Sequence, residues 1–422
     1  MLYKKTKLKN GLRIITAPIK GTETATVVVM VGVGSRFETE KQAGLSHFIE
    51  HMFFKGTEKR PTTLDISAEL DAVGGEYNAF TGKDQTGYYA KVDARHIDTA
   101  LDVVADMFLN SKIEQAEIDK EKGTIIQELN MYEDMPMRNI GDVFENTLYP
   151  NHPLGREIVG YKKTIHSFKR KDFMDYIKRF YLANDTVIAV AGKINEKEIV
   201  KKLEKYFSKM NLGKKPDFKK VKESQKKPEV RIKFKKTDQT HLMIGARAYD
   251  ENNKDRYTLS VMSVILGGNM SSRLFIEVRE KRGLAYYVRT STDSFKECGY
   301  IASAAGVEHK NLELATKTIW EEYKKITSEK VSEEELNRAK EYIKGKTVMN
   351  MEASDEVAMF AIDQEVKRGK ILTPEEKFRL IDKVNADDIL RVARDVFQKK
   401  KMNLVVIGPH KDEEKLRGIL NG

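Results

Sequence analysis

The sequence predicts an α+β protein of two similar domains, each a mainly antiparallel sheet packed with helices. Three observations lead to this prediction. Strand-like apolar runs come first, helical patterns follow and further strands come after them, an order typical of mixed helix and sheet layers. The two halves also look like diverged copies of each other, and a basic segment separates them near the middle of the 422 residues. A chain of this length that is 40% hydrophobic can form two or three real cores.

The strands of the first half follow from apolar runs bounded by turn residues. The first residues predict a strand, a turn at Asn10-Gly11 and a second strand, because Asn-Gly is a strong hairpin signal. Further apolar runs predict the other strands. The predicted strands include 13–15, 25–33, 88–92 and 186–191.

A duplication is indicated by two segments of similar pattern. The segment that starts at His166 predicts a helix, a strand ending at Gly192 and another helix. The segment that starts at Val384 repeats this order, and its strand ends at Gly408, 216 residues after Gly192. Repetition at a constant offset is better explained by duplication than by chance. The sequence therefore predicts an N-terminal domain at 1–212, a basic linker at 213–229 and a homologous C-terminal domain at 230–422.

The string H-F-I-E-H at 47–51 carries the clearest chemical signal. In a helix each residue turns about 100°, so His47 and His51 lie one turn apart on one face with Glu50 between them. Two imidazoles at that spacing can hold one Zn²⁺, and the carboxylate can reach a water at the metal. The alternative is a helix whose polar face is solvated. Apolar residues crowd both sides of the string, and charged groups in an apolar helix are costly unless they are paired or bind a metal.

A third protein ligand must come from elsewhere in the chain, because zinc sites need at least three. The pattern at 113–131 predicts a helix in which Glu121 and Glu128 are seven residues, or two turns, apart on one face. One could bind the metal and the other could support a ligand from behind. Spacing alone leaves an ordinary solvated helix face equally open.

The second half offers an internal comparison for these positions. Aligning AGLSHFIEHM with YTLSVMSVIL keeps the helix but replaces the polar residues of the string by aliphatic ones. The pairs are His47 with Val261, Glu50 with Val264, and His51 with Ile265, and Glu128 falls near Lys346. The fold therefore does not require polar groups there, which indicates that the first copy carries them for chemistry.

Longer strings make a family resemblance specific. GVGSRFE, AGLSHFIEHMFFKGT, GGEYNAFTGKDQTGYY, EKGTIIQELNMYEDMP and NMSSRLFIEVREKRGLAYYV, with the spacings between them, span essentially the whole chain. The chain resembles the pitrilysin-type zinc metallopeptidases (inverzincins, H-x-x-E-H), in the short-subunit branch related to mitochondrial processing peptidase. The resemblance implies that Glu128, 77 residues after His51, is the third zinc ligand and that Glu121 supports the site.

The resemblance also implies an activity and the residues that perform it. It implies a zinc endopeptidase with one Zn²⁺ per chain, in which Glu50 is the general base. Arg279 would anchor the substrate, and Tyr286 would donate to the oxyanion of the transition state. Residues 78–80, which are Asn78, Ala79 and Phe80, would belong to an edge strand to which the substrate backbone adds.

Because the chain carries both the zinc set and the Arg–Tyr pair, the resemblance implies a homodimer. In this clamshell the zinc domain of one chain faces the second domain of the other, and peptides or unfolded segments are hydrolysed inside. The alternative is a non-catalytic relative of the same family that binds peptides or serves as a scaffold subunit. The intact zinc set argues against this alternative.

Composition limits the remaining possibilities. The net charge is +11, but eleven basic residues against three acidic ones fall between Lys214 and Lys236, so most of the excess lies in this one segment, which contains most of the linker and the start of the next domain. A solvated tether is the favoured interpretation. Contact with acidic peptides or nucleic acid is the alternative, and the scarcity of interleaved aromatics weakens the nucleic-acid case.

There is no apolar run of 18 residues, Cys298 is the only cysteine, and the N-terminus lacks a secretory apolar stretch. We therefore expect a cytoplasmic protein with no membrane and no nucleic-acid partner.

Overall fold

The computed structural model describes residues 3–215 and 217–422, so Met1, Leu2 and Pro216 of the predicted domains and linker lie outside the described residues. The strands are β1 (Lys4–Lys7), β2 (Arg13–Pro18), β3 (Thr24–Val31), β4 (Glu76–Thr81), β5 (Thr86–Asp93), β6 (Thr186–Gly192), β7 (Glu229–Phe234), β8 (Thr240–Ala248), β9 (Ala285–Ser294), β10 (Gly299–Val307) and β11 (Met402–Gly408). The helices are α1 (Leu45–Met52), α2 (Thr63–Asp71), α3 (Ile97–Asn110), α4 (Gln115–Asp134), α5 (Pro136–Leu148), α6 (Lys162–Ser167), α7 (Arg170–Phe180), α8 (Glu196–Phe207), α9 (Arg256–Gly267), α10 (Leu312–Ser328), α11 (Glu333–Asn350), α12 (Ser354–Arg368), α13 (Pro374–Asp382), α14 (Ala386–Val396) and α15 (Glu413–Asn421).

The chain forms two compact units, each with one sheet. Unit 1 comprises Met1–Asn130, Arg156–Lys219 and Thr347–Pro374. Unit 2 comprises Met131–Gly155, Lys220–Lys346 and Glu375–Gly422. Helices pack on the sheet of each unit, so the predicted α+β class with two similar sheet-and-helix domains is confirmed.

The sheet of unit 1 has six strands in the order β1-β2-β6-β3-β5-β4. Only the β2–β6 pair is parallel, and the other neighbours run antiparallel. The central strands β3 and β6 are almost entirely buried and rich in β-branched residues, as expected of strands covered on both faces. The strand β4 lies at one edge of the sheet and is half exposed, and one side of its backbone pairs with no strand within residues 3–215 and 217–422.

The sheet of unit 2 has five strands in the order β7-β11-β8-β10-β9, which repeats the order of β2-β6-β3-β5-β4 in unit 1. It again has one parallel pair, β7–β11, in the place that β2–β6 occupies in unit 1, and the other pairs are antiparallel. The strands that end at Gly192 and Gly408 are β6 and β11, which hold equivalent places in the two sheets. This matching order supports the duplication predicted from the sequence.

One helix of each sequence half belongs to the unit formed mainly by the other half. The helix α5 packs on β7, β8 and β11 of unit 2, where Phe144 and Leu148 are fully buried. The helix α12 packs on β2, β3 and β6 of unit 1, where Ala361 and Ile362 are fully buried. The compact units therefore differ from the contiguous ranges 1–212 and 230–422. The physical reason is that the apolar face of each helix covers a sheet face that the rest of its own unit leaves open.

The predicted linker lacks helix and strand over its described residues until β7 begins at Glu229, but it is not a free tether. In unit 1, the ammonium group of Lys215 binds the Asp185 carboxylate, and the ring of Phe218 lies 3.9 Å from the Arg36 guanidinium. In unit 2, the side chain of Gln225 donates to the carbonyl oxygen of Met402 at 3.0 Å. These contacts fix both ends of the segment.

No helix within the described residues is long and apolar enough to cross a membrane.

Candidate metal centre

The helix α1 carries the H-x-x-E-H string, as predicted, and starts at a glycine. Gly44 precedes the helix with φ at 97°, in the left-handed region that side chains other than glycine rarely adopt. A Cβ atom at this position would lie 2.4 Å from the carbonyl oxygen of Val159, so glycine is also required for close packing. Of the first five residues of the helix, four are fully buried and are apolar or small and polar. The fifth, His47, is only 8% exposed.

The structure brings His47, His51 and Glu128 together. The Nε2 atoms of His47 and His51 lie 3.6 and 3.4 Å from one carboxylate oxygen of Glu128, and all three ligand atoms lie within 4.8 Å of one another. Ligands about 2.1 Å from a tetrahedrally coordinated zinc ion are about 3.4 Å apart. Two imidazoles and one carboxylate are a donor set of catalytic zinc sites. The residues therefore fit zinc in both chemistry and spacing.

Glu121 lies behind His51, in the position that the family resemblance gives to a supporting carboxylate. Its carboxylate lies 2.9 Å from Nδ1 of His51, and the ammonium group of Lys55 binds its second oxygen at 2.6 Å. A proton on Nδ1 that is donated to Glu121 leaves Nε2 with a free lone pair, which is the tautomer needed for metal binding. Glu121 is 5% exposed, so these two partners satisfy a carboxylate that would otherwise be costly to bury.

His51 and Glu121 shift each other's pKa. Burial lowers the pKa of His51, but hydrogen bonds to Glu121 and Glu128 outweigh it and raise the pKa to about 9. Burial raises the pKa of Glu121, but hydrogen bonds from His51 and Lys55 outweigh it and hold that pKa below its usual value. In the metal-free chain both ring nitrogens of His51 are therefore protonated at neutral pH, and a metal ion must displace the proton on Nε2.

His47 is held differently from His51. Within residues 3–215 and 217–422, its Nδ1 atom is buried and has no hydrogen-bond partner. The ring is packed against the other imidazole instead, with 4.6 Å between the ring centroids. An unsatisfied buried nitrogen costs free energy, so this histidine is not placed here for stability.

Glu50 lies on the same face of α1, and the hydroxyl of Thr81 donates a hydrogen bond to it. Thr81 is the last residue of β4, so this bond joins the carboxylate to the edge strand. A carboxylate on the helix face that carries both imidazoles can act as a proton acceptor for a water near the metal.

The predicted substrate residues Asn78, Ala79 and Phe80 lie on β4, the edge strand of the sheet in unit 1. Side chains alternate along a strand, so Ala79 faces the same side as Thr81 and α1. Phe80 faces the other side and packs against the apolar cluster beneath α12. The side-chain oxygen of Asn78 accepts from the backbone amide of Ala79 at 2.8 Å.

Arg279 and Tyr286 lie together in unit 2. Arg279 is in the last turn of a short π-helical segment, Phe275–Glu280, and its guanidinium carbon lies 5.7 Å from the centroid of the Tyr286 ring. Tyr286 is 74% exposed and stands near the start of β9, the edge strand of that sheet. The zinc set lies in unit 1, so the two groups predicted for catalysis belong to different units.

Two residues of the centre were missed by the sequence reasoning. Lys55 follows His51 by four residues, which is one helical turn, so this spacing was a usable signal. Thr81 was signalled only weakly, by strand alternation directly after 78–80. Its bond to Glu50 depends on the packing of α1 against β4, which no local pattern reveals.

Solved structures share this fold over nearly the full chain. A protease from Helicobacter pylori superposes with a TM-score of 0.91 at 23% identity, covering 97% of this chain and 99% of that one. A chain of complex III2 from Candida albicans superposes with a TM-score of 0.85 at 18% identity, covering 99% of both chains. At these identities the likeness concerns the fold alone.

Sequence relatives are closer. Residues 13–162 match the family described as insulinase (peptidase family M16), and residues 167–343 match the peptidase M16 inactive domain. An uncharacterized zinc protease of Rickettsia felis is 36% identical over 96% of this chain and 97% of its own. The uncharacterized zinc protease YmxG of Bacillus subtilis is 35% identical over 94% and 96%. At this identity over almost the whole length, with the metal-binding string in the matched region, the chain belongs to peptidase family M16.

Proposed function

We propose that this chain is a zinc-dependent endopeptidase that hydrolyses peptides or unfolded segments inside a dimeric clamshell. The observation that carries the proposal is the convergence of His47, His51 and Glu128, whose ligand atoms lie within 4.8 Å of one another. Relatives that are called zinc proteases support the peptidase class. One Zn²⁺ per chain would be held by these three side chains.

Zinc, when bound, supplies a Lewis acid that polarises the substrate carbonyl and makes water more acidic. The chain's own residues supply the proton transfers. Glu50 accepts the proton of the attacking water on a carboxylate oxygen and later gives it to the leaving amine. The Thr81 hydroxyl fixes the Glu50 carboxylate to β4, so the acceptor does not have to be oriented during the reaction.

The substrate class follows from the edge strand β4. A peptide that adds to this edge is read mainly through its backbone, at Asn78, Ala79 and Phe80, so extended or unfolded segments are favoured over folded proteins. The side chain of Phe80 packs under α12, which supports a role for its backbone rather than its ring.

Arg279 and Tyr286 are proposed to complete the site from a second copy of the chain. Tyr286 is 74% exposed, so its hydroxyl is available to donate to the oxyanion, and Arg279 beside it can anchor the substrate backbone. Because these residues lie in unit 2, a homodimer with two composite sites would supply them in trans.

Metal analysis and kinetics test the catalytic proposal. We expect about one zinc per chain, loss of peptide hydrolysis on chelation, and a fall in kcat of about 10³-fold in Glu50→Gln with zinc content unchanged. Digestion of a diverse peptide mixture, read by mass spectrometry, would show the cleavage sites. Wild-type activity that persists in the zinc-free chain, or in Glu50→Gln, would contradict the proposed mechanism.

Mixed dimers test the trans arrangement. Glu50→Gln chains and Tyr286→Phe chains should each be nearly inactive alone. Mixing them pairs an intact zinc domain with an intact Tyr286 in one of the two composite sites, so activity should return to about half of the wild-type value per mixed dimer. If no mixing ratio exceeds either parent, the two groups do not meet across subunits.

A non-catalytic peptide-binding or scaffold subunit is the alternative, because residues 167–343 match a domain that is described as inactive. That match covers the part of the chain without the zinc set. Zinc binding without hydrolysis of any peptide in the mixture would favour this alternative. A cytoplasmic location and the lack of a nucleic-acid partner stay predictions from the sequence.

A further inference from the structure

The loop that precedes α1 is fastened to the turn that follows the edge strand β4. The backbone amides of Ser35 and Arg36 donate to the carbonyl oxygens of Gly82 and Lys83, each at 3.1 Å. The guanidinium of Arg36 is buried and binds the Asp84 carboxylate at 3.0 Å. Residues 82–85 connect β4 to β5, so this loop has a fixed position relative to the edge strand.

The same loop places a buried carboxylate at the start of α1. Glu38 is 4% exposed, and its two oxygens accept from the backbone amides of Gly44 at 2.9 Å and Ser46 at 2.7 Å. Amides at the start of a helix have no partner within the helix. The N-cap residue, Gly44, has no side chain to satisfy them, so Glu38 does so from six residues upstream.

Burying the Glu38 carboxylate lowers the free energy of unfolding. Burial raises the pKa of Glu38 to about 7, although the amides of Ser46 and Gly44 and the charge of Arg156 act in the opposite direction. A Ser, Thr or Asp at the helix start would satisfy the same kind of amide without burying a charge so deeply. Helix stability alone therefore does not explain why a glutamate is used here.

We propose that Glu38 is a positioning residue, which fixes the first turn of α1 relative to the β4–β5 hairpin and so holds the metal ligands in register with the substrate strand. The inference rests on the proposed function and extends it to a residue that contacts neither metal nor substrate. Ser46, which Glu38 binds, directly precedes His47, so His47 is the ligand most affected by a shift of this turn. Glu50 is bonded to β4 through Thr81, so the helix is tied to the hairpin near its start and on its catalytic face.

Hydrogen exchange of the full-length, zinc-free chain tests the proposal without relying on catalysis. Glu38→Gln keeps the size of the side chain but replaces one acceptor oxygen by a donor that cannot accept from a helix amide. Amides of peptides covering 44–52 should exchange about 10-fold faster than in wild type, whereas those of α8 should not change. Glu40→Gln, the same substitution at a neighbouring exposed carboxylate, should behave as wild type.

Zinc affinity and kinetics then distinguish positioning from general stability. In Glu38→Gln the zinc Kd, measured by competition with a chromophoric chelator, should rise about 10-fold. At saturating zinc, kcat should fall about 10-fold while KM stays within about 2-fold, because the substrate strand itself is intact. Glu38→Asp keeps the charge on a shorter side chain, so its zinc Kd and kcat should lie between those of wild type and Glu38→Gln.

The outcomes separate this inference from the proposed function. Unchanged exchange at 44–52, or equally faster exchange in α8, would overturn the role of Glu38, whatever the metal content. Faster exchange confined to 44–52 supports the role of Glu38 even if the wild-type chain binds no zinc. The lack of zinc binding would contradict only the peptidase proposal.

Discussion

The helices α1 and α9 occupy equivalent places in two sheets of the same topology, yet they are built from opposite chemistry. In α1 the polar residues His47, Glu50 and His51 lie on one face. At the aligned positions α9 has Val261, which is fully buried, Val264, and Ile265, which is 4% exposed. The fold is thus compatible with aliphatic side chains there. The difference supports the proposed metal centre, because polar groups at these positions are costly unless they are paired or bind a metal.

The surroundings of α1 show that its chemistry is supported from outside the helix. Glu121 and Glu128 come from α4, Thr81 from β4, and Glu38 from the preceding loop. The start of α9 is simpler. Its N-cap residue, Asp255, forms an ion pair with Arg391 of α14 at 2.7 Å. The two copies therefore differ in a network of side chains, not in a single helix.

The strongest test of this comparison gives α1 the residues of α9. The triple variant His47→Val, Glu50→Val, His51→Ile should bind no zinc at that site and should lose all peptide hydrolysis. It should still fold, because the same residue types fill the equivalent helix in unit 2. Zinc content, peptide cleavage and far-UV circular dichroism would check the three expectations.

The reverse substitution is the matched control. Val261→His places an imidazole at a fully buried aliphatic position. It should lower the free energy of unfolding by about 2–3 kcal/mol in denaturant titrations. If Val261→His were neutral, or if the triple variant failed to fold, the two helices would not be equivalent packing sites.

A smaller effect is expected from Glu121, the carboxylate behind His51. Glu121→Gln keeps the shape but removes the charge that orients His51, so the zinc Kd should rise about 10- to 100-fold. Glu117→Gln changes a half-buried carboxylate of the same helix, which is paired with the exposed Lys120, and should leave the zinc Kd within about 2-fold. Competition with a chelator measures both. Equal affinities for the two variants would show that Glu121 does not support the metal ligand.

How much of this could be predicted depends on how local each feature is. The succession of strands and helices along the chain and the helix of the H-x-x-E-H string follow from short-range periodicity. The pairing of His47 with His51 follows from their spacing on that helix. Glu128 needed the family resemblance, because two helices far apart in sequence must meet for it to be a ligand. The roles of Thr81 and Glu38 depend on tertiary contacts that leave no periodic trace.

The exchanged helices α5 and α12 were beyond prediction for a related reason. An amphipathic helix shows in its sequence which face is apolar, but not which of two similar sheets that face will cover. For α12 the pairing is fixed by particular contacts in unit 1, such as those of its own Glu365, which is 1% exposed and binds Lys5 of β1 and Arg13 of β2. The predicted boundaries could not include such a pairing.

The smallest expected effect concerns how the starts of α1 and α9 respond to pH. For Glu38 burial raises the folded-state pKa from 4.5 to about 7, so the stabilisation from protonating it is full below about pH 4.5 and is lost as pH rises through 7. For Asp255 the hydrogen bond from Arg391 lowers the pKa below 3.8, so its stabilisation is present above that pH and is lost in acid. Between pH 5 and 8 only the first of these changes.

The melting temperature of the metal-free chain measures this difference. From pH 5 to 8 it should fall by a few degrees more in wild type than in Glu38→Gln, because the glutamine cannot ionise. The phenol of Tyr176 near Glu38 stays neutral in this range, because burial raises its pKa well above 10, so it does not contribute. His51 titrates in both proteins and cancels in the difference. Asp255→Asn should lower the melting temperature by the same amount at every pH from 5 to 8. Parallel curves for wild type and Glu38→Gln would mean that the start of α1 carries no more electrostatic cost than that of α9.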